Sequence, residues 1–198
     1  MPRHPDPRLE ERILDAAQKL WRKGGEEKFN MRAVAKAAGT NTPAVYRRFR
    51  DRQELLRGLL RRLQNEVGEV LRPCQSPREI CERYLDYVLS HPHDYELFYQ
   101  QAYQLPRPAR LKGTASLREL RPNVALLQDK LAEWLGGSAP DHTRLSLSLW
   151  IAAHGAAMIL LSKAIPEEYV EELRSVLEAS VTTLVQNEAN LSKTQRTS

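Results

Sequence analysis

The chain has little of what metal centres, disulfide scaffolds and membrane spans require. It contains two cysteines, Cys74 and Cys81, without a CxxC pair or a Cys/His array, so we expect two reduced thiols and no metal site. Its longest apolar run, residues 149–161, is 13 residues long, which is too short to span a bilayer. The N-terminus has no apolar stretch of the kind that marks a signal peptide. We therefore expect a soluble, cytoplasmic protein that has no membrane partner.

The sequence also lacks the residue patterns on which catalysis depends. It shows no Ser/His/Asp order, no paired carboxylates on one helix face and no glycine-rich phosphate loop. An active site needs a nucleophile or an acid/base pair with supporting groups, and the sequence offers neither. It therefore predicts no catalytic residue and no cofactor, and we do not expect an enzyme.

Basic residues are concentrated in the N-terminal third. Residues 1–62 carry 16 Lys and Arg against 8 Asp and Glu, a net charge of +8, whereas the remainder carries 14 against 17, a net charge of −3. Binding to the phosphates of nucleic acid needs such local positive charge. The charge distribution thus predicts a nucleic-acid-binding N-terminal part and a body with no electrostatic reason to bind nucleic acid.

A helix-turn-helix pattern lies within this basic part, in residues 30–49, NMRAVAKAAGTNTPAVYRRF. Asn30 is a suitable cap for the first helix, and Gly39 stands where the chain must turn. Asn41 or Thr42 then caps the second helix, in whose first turn Pro43 is harmless because that backbone N–H has no partner anyway. The second helix of such a motif enters the major groove of DNA.

Apolar residues at helical spacing cover the rest of the chain, and no segment alternates as a strand does. We predict an all-α fold of about nine helices: an N-terminal three-helix DNA-binding domain (1–52), a helical ligand-binding and dimerisation domain (53–188) and a frayed polar tail (189–198). Gly24 and Gly25 should end the first helix, and Asp141 should cap the eighth. Pro122 either kinks the seventh helix or begins it. Residues 105–114 should form a surface loop.

The N-terminal part resembles the TetR family of bacterial transcriptional regulators. The resemblance rests on RAVAKAAG, on Tyr46 and Phe49 at their spacing from it, and on RDRQELL at the start of the next helix. Trp150 and the pair His154–Gly155 also look like the pattern of one C-terminal subgroup. Thr40, Ala44 and Arg52 depart from the usual family residues, and Ala44 removes a hydroxyl contact to phosphate.

The resemblance implies roles for several residues of the motif. It implies that Tyr46 and Arg52 bind phosphates, and that Arg32, Thr42 and Pro43 reach bases. Arg47 and Arg48 adjoin Tyr46 in the positively charged part, so either of them can contact phosphate or guanine. The complete set of predicted DNA-binding residues is Arg32, Asn41, Thr42, Pro43, Ala44, Tyr46, Arg47, Arg48 and Arg52.

Aromatic residues cluster between positions 84 and 103, which hold six of the chain's 13 aromatic side chains. They line a ligand pocket or form plain core. Any single ring is more typical of core, but so many hydroxyl-bearing rings together favour a pocket with a few polar groups over an all-aliphatic core. Trp150 and His154 are more typical of packing than of recognition. The candidate pocket residues are Tyr84, Tyr87, Phe98, Tyr99, Tyr103, Trp150 and His154.

The eighth predicted helix is apolar nearly all the way round from Leu145 to Leu161. Such a helix must bury two faces, so we expect one face to pack in its own body and the other, rich in alanine, to pack against a partner. The last two helices then form a four-helix interface in a two-fold dimer, as the resemblance also implies. The expected interface residues are Ala152, Ala156, Ile159, Leu173, Leu177, Val181 and Leu184.

Together these features predict a homodimeric transcriptional repressor. It would bind a pseudo-palindromic double-stranded DNA operator and respond to a hydrophobic or aromatic small-molecule effector. The alternative is a DNA-binding protein without an effector, whose body only dimerises or recruits a protein partner. A solid body without a pocket would favour that alternative.

Overall fold

The computed structural model describes residues 8–101 and 116–196, and within them the chain forms α-helices and no strand. The helices are α1 (Leu9–Lys28), α2 (Met31–Ala37), α3 (Thr42–Arg48), α4 (Arg52–Leu71), α5 (Pro77–Ser90), α6 (Pro92–Glu96), α7 (Leu117–Leu120), α8 (Pro122–Leu135), α9 (Thr143–Leu161) and α10 (Val170–Arg196). A π-helical turn, Leu97–Gln101, follows α6, and 3-10 turns, Ala139–His142 and Glu167–Tyr169, precede α9 and α10. The all-α prediction is confirmed.

The described residues contain ten α-helices rather than about nine because the predicted seventh helix is divided. α7 ends at Leu120, and Pro122 occupies the first position of α8. The fixed φ of proline suits the first turn of a helix, where its missing N–H costs nothing. Pro122 therefore begins a helix and does not kink one.

Two other predicted boundaries need correction. Asp141 caps the 3-10 turn before α9, where its carboxylate accepts a hydrogen bond from Ser138 N at 2.8 Å, and α9 itself begins at Thr143. The tail predicted to fray from residue 189 continues α10 as far as Arg196. The predicted loop 105–114 lies outside the described residues.

The chain divides into two compact units. The described residues of the first unit are 8–65 and 91–101, and those of the second are 66–90 and 116–196. The first unit thus contains α1, α2, α3 and most of α4, together with α6. α4 continues through the predicted domain boundary after residue 52, and α6 joins the first unit. The predicted bounds of the DNA-binding and regulatory domains stay a prediction.

The core of the first unit is built from one face of each of its long helices. Its largest fully buried side chains come from α1, α4 and the turn after α6: Ile13, Trp21, Leu55, Leu56, Leu59, Leu63 and Leu97. Trp21 contacts Phe29 edge to face, with 5.4 Å between ring centroids. Burying a large apolar side chain contributes about 1.5–3 kcal/mol, so this cluster holds the three N-terminal helices on α4.

α1 kinks where the sequence predicts its end. Gly24 and Gly25 have non-helical dihedral angles, and one further turn of helix follows them to Lys28. Gly25 has φ +55°, which favours glycine, and a Cβ there would lie 3.0 Å from both His93 Nδ1 and Glu96 Oε2 of α6. The glycine pair therefore redirects α1 and lets α6 approach it, instead of ending the helix.

Carboxylates at the start of α4 and α5 satisfy free backbone N–H groups. Asp51 Oδ1 accepts from Glu54 N at 2.7 Å, while Glu54 Oε2 accepts from Arg50 N at 2.6 Å. The backbone hydrogen bond from Glu54 lowers the pKa of Asp51. Ser76 and Glu79 repeat the arrangement at α5. At both helices the reciprocal bond comes from the residue before the cap, one residue earlier than in a standard capping box.

The second unit packs α5, α8 and α10 around α9. Three of the four alanines of α9 point inward: Ala153, Ala156 and Ala157 are buried, with Leu145 and Leu149 on the same side. α5 contributes both a buried cysteine and apolar side chains, and α10 contributes Leu177 and Val181. Cys74 and Cys81 are free thiols, and burial raises the pKa of Cys81 to about 12, so Cys81 remains protonated at neutral pH.

Candidate DNA-binding surface

Two asparagine caps and one glycine set the geometry of the helix-turn-helix. Asn30 Oδ1 accepts from Ala33 N, and Asn41 Oδ1 accepts from Ala44 N, both at 2.9 Å. Gly39 has φ +65° and connects the two helices. The predicted caps and turn are confirmed, and of the two candidate caps for α3 the structure selects Asn41.

The inner face of the motif is part of the core of the first unit. Met31, Val34 and Ala35 of α2 are buried, as are Val45 of α3 and Phe49 directly after it. A recognition helix of only seven residues has little stability of its own, so this packing is what holds it in place.

The outer face carries an exposed cationic and aromatic surface, which we call the recognition surface. It consists of Arg32 on α2 and Pro43, Tyr46, Arg47 and Arg48 on α3. The Tyr46 side chain is 49% exposed. Within the described residues, Arg32 and Arg47 have no ion-pair partner, so both guanidinium groups are available to an anion. Thr42 lies beside this surface and is half-buried, and Asn41 is exposed although its carboxamide oxygen is used in the cap.

Ala44 does not lie on the recognition surface, although it was predicted as a DNA-binding residue. Its side chain is 4% exposed, and its N–H donates to the Asn41 cap. It sits one residue before Val45 on the side of α3 that packs inward. Its side chain thus belongs to the core and not to the recognition surface.

Arg52 begins α4 and is held by two residues near the end of α1. Its Nη2 lies 2.9 Å from Glu26 Oε1, and its guanidinium carbon lies 5.4 Å from the centre of the Phe29 ring. The side chain remains 36% exposed. Arg52 therefore presents a fixed positive charge at the N-terminus of α4, already partly satisfied by a carboxylate. Glu26 is a residue that sequence reasoning missed, because nothing in the sequence indicates that positions 26 and 52 meet.

Comparison with known proteins identifies this arrangement. Residues 13–59 match the family described as bacterial regulatory proteins, tetR family, and residues 78–184 match the tetracyclin repressor-like C-terminal domain. The chain belongs to the TetR family. It is accordingly a DNA-binding transcriptional regulator, and members of this family are generally soluble, non-enzymatic DNA-binding proteins that usually dimerise.

Solved structures share the fold of this TetR-family protein. A transcriptional regulator from Rhodococcus sp. Rha1 is 22% identical, with a TM-score of 0.63 over 90% of this chain and 96% of that one. The multidrug binding protein EbrR, complexed with imidazole, is 21% identical, with a TM-score of 0.63 over 91% and 93%. A TetR-family regulator from Streptomyces coelicolor is 20% identical, with a TM-score of 0.60 over 89% and 99%. No curated protein matches the chain.

The predicted effector residues of the TetR-family body fall into different parts of the structure. Tyr84, Tyr87, Trp150 and His154 belong to the second unit, where Tyr87 is 7% exposed and the other three are half-buried. Trp150 stacks beneath the guanidinium of Arg121 at 5.8 Å and lies 6.3 Å from the His154 ring. Burial lowers the pKa of His154, so its ring is neutral at pH 7.

The remaining aromatic candidates belong to the first unit. Phe98 packs against its core, and Tyr99 lies 4.8 Å from the Tyr95 ring. Burial, followed by the neighbouring Tyr99, raises the pKa of Tyr95 to about 12. Tyr103 lies outside the described residues. Packing accounts for Phe98, whereas the effector role of the other rings stays a prediction.

A groove between α5 and α10 is lined mainly by charged side chains. Arg78 Nη1 pairs with Glu178 Oε1 at 2.5 Å, and Arg174 Nη1 pairs with Asp86 Oδ1 at 3.0 Å. None of the predicted effector residues lines this groove. Its paired charges link α5 to α10 and do not suit an apolar ligand.

Three of the predicted interface residues are buried inside the protomer. Ala156 is 5%, Leu177 5% and Val181 1% exposed. The reason is that the small residues of α9 let α5 and α10 approach it closely within one chain. Ala152, Leu173 and Leu184 are half-buried, and Ile159 is 36% exposed.

Three large apolar side chains of α9 are exposed: Ile151, Met158 and Ile159. We call this set the α9 stripe. Ile151 is 69% and Met158 53% exposed, and they lie seven positions apart, on one helix face. Gly155, between them, has open space where a Cβ would lie. On α10, Val176 is 51% exposed. The outward face of α9 thus differs from the alanine-rich face that sequence reasoning expected.

One segment of the described chain is apolar enough for a membrane span. An 18-residue window of the 23-residue segment Ala139–Leu161 has a mean hydropathy of 1.5, which meets the criterion by length and composition only. The inward face of α9 packs against α5 and α10, as a core helix of a soluble protein does.

Proposed function

We propose that this TetR-family regulator is a cytoplasmic, homodimeric repressor that binds a pseudo-palindromic operator and is released by a small apolar or aromatic effector. The recognition surface supports the DNA-binding part of this proposal. It combines the exposed phenol of Tyr46 with two exposed cations, Arg32 and Arg47, that have no ion-pair partner among the described residues. These are groups that bind phosphates and base edges.

We assign two kinds of contact within this surface. Arg32, Thr42 and Pro43 read bases, because they lie at the start of α2 and of the recognition helix α3. Tyr46 and Arg52 bind phosphates, and Arg47 and Arg48 contribute positive charge beside them. Phosphate contacts position the protein without reading sequence, so the two groups have separable effects.

Substitutions test this division by fluorescence anisotropy with an operator selected from random DNA. Arg52→Ala and Tyr46→Phe should weaken binding to all duplexes alike, and Arg52→Ala should lower the slope of log affinity against log salt by about 1. Thr42→Ala and Arg32→Ala should change the preferred sequence, with a loss of about 1–3 kcal/mol on the cognate site. Arg83→Ala, an exposed arginine of the second unit, is the control and should change neither property. Equal losses on every sequence from all four variants would contradict the division.

The α9 stripe supports dimerisation. A soluble protein rarely leaves several large apolar side chains together on one helix face unless a partner covers them. Gly155 permits close approach of a second backbone at the centre of the stripe. We therefore place α9 and α10 of two protomers at a two-fold interface, through Ile151, Met158, Ile159 and Val176, with Leu173 and Leu184 at its edge.

The body of the second unit supports an effector site. Tyr84 of α5 is half-buried, as are the neighbouring rings of Trp150 and His154 on α9. We propose that they contact the effector, because small-molecule sites combine apolar surface with a few polar groups. EbrR, which shares the fold, is a multidrug binding protein. A bound effector would act by its higher affinity for a conformation in which the two recognition helices no longer match the groove spacing. A screen of apolar and aromatic compounds in which none changed operator affinity would count against this part of the proposal.

A further inference from the structure

The pair formed by Glu26 and Arg52 has the geometry of an occupied anion site. Arg52 Nη2 lies 2.9 Å from Glu26 Oε1, and the Phe29 ring lies under the guanidinium. Both side chains remain accessible, with 36% of Arg52 and 51% of Glu26 exposed. A carboxylate and a phosphate oxygen accept the same N–H donors of arginine, so the two compete for this group.

The position of Glu26 is fixed by the contacts of α1 with α6. Trp21 Nε1 donates to His93 O at 2.5 Å, and Arg22 donates to Asp94 Oδ2 from Nη2 at 2.7 Å. Asp94 is fully buried. Directly after these anchors, Gly25 redirects the chain and leads into Glu26. Glu26 is therefore held at the N-terminus of α4 by a well-anchored end of α1.

We propose that Glu26 is a positioning residue that competes with operator phosphate for Arg52 and so weakens binding to all DNA sequences alike. The proposal rests on the phosphate role of Arg52 under the proposed function. A phosphate that binds Nη2 of Arg52 displaces Glu26, and a phosphate that binds the other N–H groups of Arg52 still lies beside the Glu26 carboxylate. In both cases Glu26 places a negative charge next to the phosphate backbone. Lowering the sequence-independent part of the affinity leaves base contacts with a larger share of the total.

A purely structural ion pair makes a different prediction. Exposed pairs contribute little to stability, so loss of the pair would change unfolding slightly and DNA affinity not at all. Competition predicts instead that loss of the pair raises DNA affinity clearly and changes unfolding only slightly. The two readings are therefore separated by measuring DNA affinity and unfolding on the same variants.

The test compares Glu26→Gln with Glu27→Gln by fluorescence anisotropy on the operator and on a scrambled duplex. Both variants remove one negative charge from neighbouring exposed positions, and among the described residues Glu27 has no ion pair. Glu26→Gln should raise affinity for both duplexes by about 2- to 5-fold beyond any effect of Glu27→Gln. Thermal unfolding of each variant checks that it folds. Glu26→Asp keeps the charge but shortens the side chain, so it should also raise affinity, by less than Glu26→Gln does.

A double variant separates the failure of this inference from the failure of the proposed function. In an Arg52→Ala background, Glu26→Gln should act no differently from Glu27→Gln. If Arg52→Ala weakens binding but Glu26→Gln and Glu27→Gln have equal effects in the wild-type background, Glu26 does not compete and the phosphate role of Arg52 stands. If Arg52→Ala leaves affinity unchanged, the assignment of Arg52 fails and the competition with it.

Discussion

Asn30 and Asn41 each satisfy a backbone N–H that a helix of seven residues would otherwise leave free. Such caps contribute about 1 kcal/mol each, a large share for helices this short. Both were predictable because the cap is a local interaction, set by residues three apart. The same holds for Gly39, whose φ of +65° follows from the need to turn between α2 and α3.

Two residue assignments were not accessible from the sequence, for physical reasons. Whether Ala44 faces the core or DNA depends on the rotation of α3 about its axis, and a helix of seven residues with few apolar side chains leaves that rotation ambiguous. The Glu26–Arg52 contact joins positions far apart in the chain. It depends on the kink at Gly25, which a helical pattern does not reveal.

At the residue scale, the shifted pKa of His154 predicts that stability depends on pH. Burial lowers its folded-state pKa below the ordinary value of 6.5. At a pH between the folded-state pKa and the unfolded-state pKa, the unfolded chain binds a proton that the folded chain does not. The free energy of unfolding should therefore fall as pH is lowered through this range.

Urea unfolding from pH 7.5 to pH 5 measures this dependence. The His154→Asn variant, which cannot gain the proton, should lose less stability than the wild type over the same range. The difference between the two proteins isolates His154 from the other titrating groups. An identical pH dependence in both would show that His154 is no harder to protonate when folded.

At the scale of the element, α9 shows how far composition predicts packing. Its uniform apolarity predicts that more than one face needs cover, but it does not tell which face packs within the chain. The alanines Ala153, Ala156 and Ala157 face inward because α5 and α10 both cross α9 closely. Ile151 and Met158 are left outside, and only the neighbouring helices could have decided between these faces.

The α9 stripe predicts the effect of a charge on assembly. In Ile151→Glu, formation of the proposed dimer would bury an unpaired carboxylate in an apolar interface, which costs several kcal/mol. Sedimentation should therefore show a shift from dimer to monomer, with an unchanged helical signal because Ile151 is 69% exposed within the protomer.

Ser90→Glu, at an exposed position at the end of α5, provides the control and should leave the dimer intact. Should Ile151→Glu sediment as the wild type does, the stripe is not the interface. A wild-type protein that is monomeric at micromolar concentration would remove the two-fold arrangement altogether.

At the scale of the molecule, the fold class and the family follow from long-range regularities of the sequence. Helical periodicity is continuous, and the motif residues occur in the right order, so both could be predicted. The division into compact units could not, because the placement of α6 with the first unit depends on Trp21, Arg22 and Gly25 contacting residues some 70 positions away.

The central claim is that two copies of the recognition surface read one palindrome together. Fluorescence anisotropy tests this claim directly. It compares the selected operator with two versions that carry 5 or 10 extra base pairs at the centre. Five base pairs turn the half-sites to opposite faces of the duplex, and ten restore the face but add a helical turn between them. We predict that both insertions reduce affinity to that of a single half-site. Equal affinity for all three duplexes would contradict the account, because the two recognition helices would then bind independently.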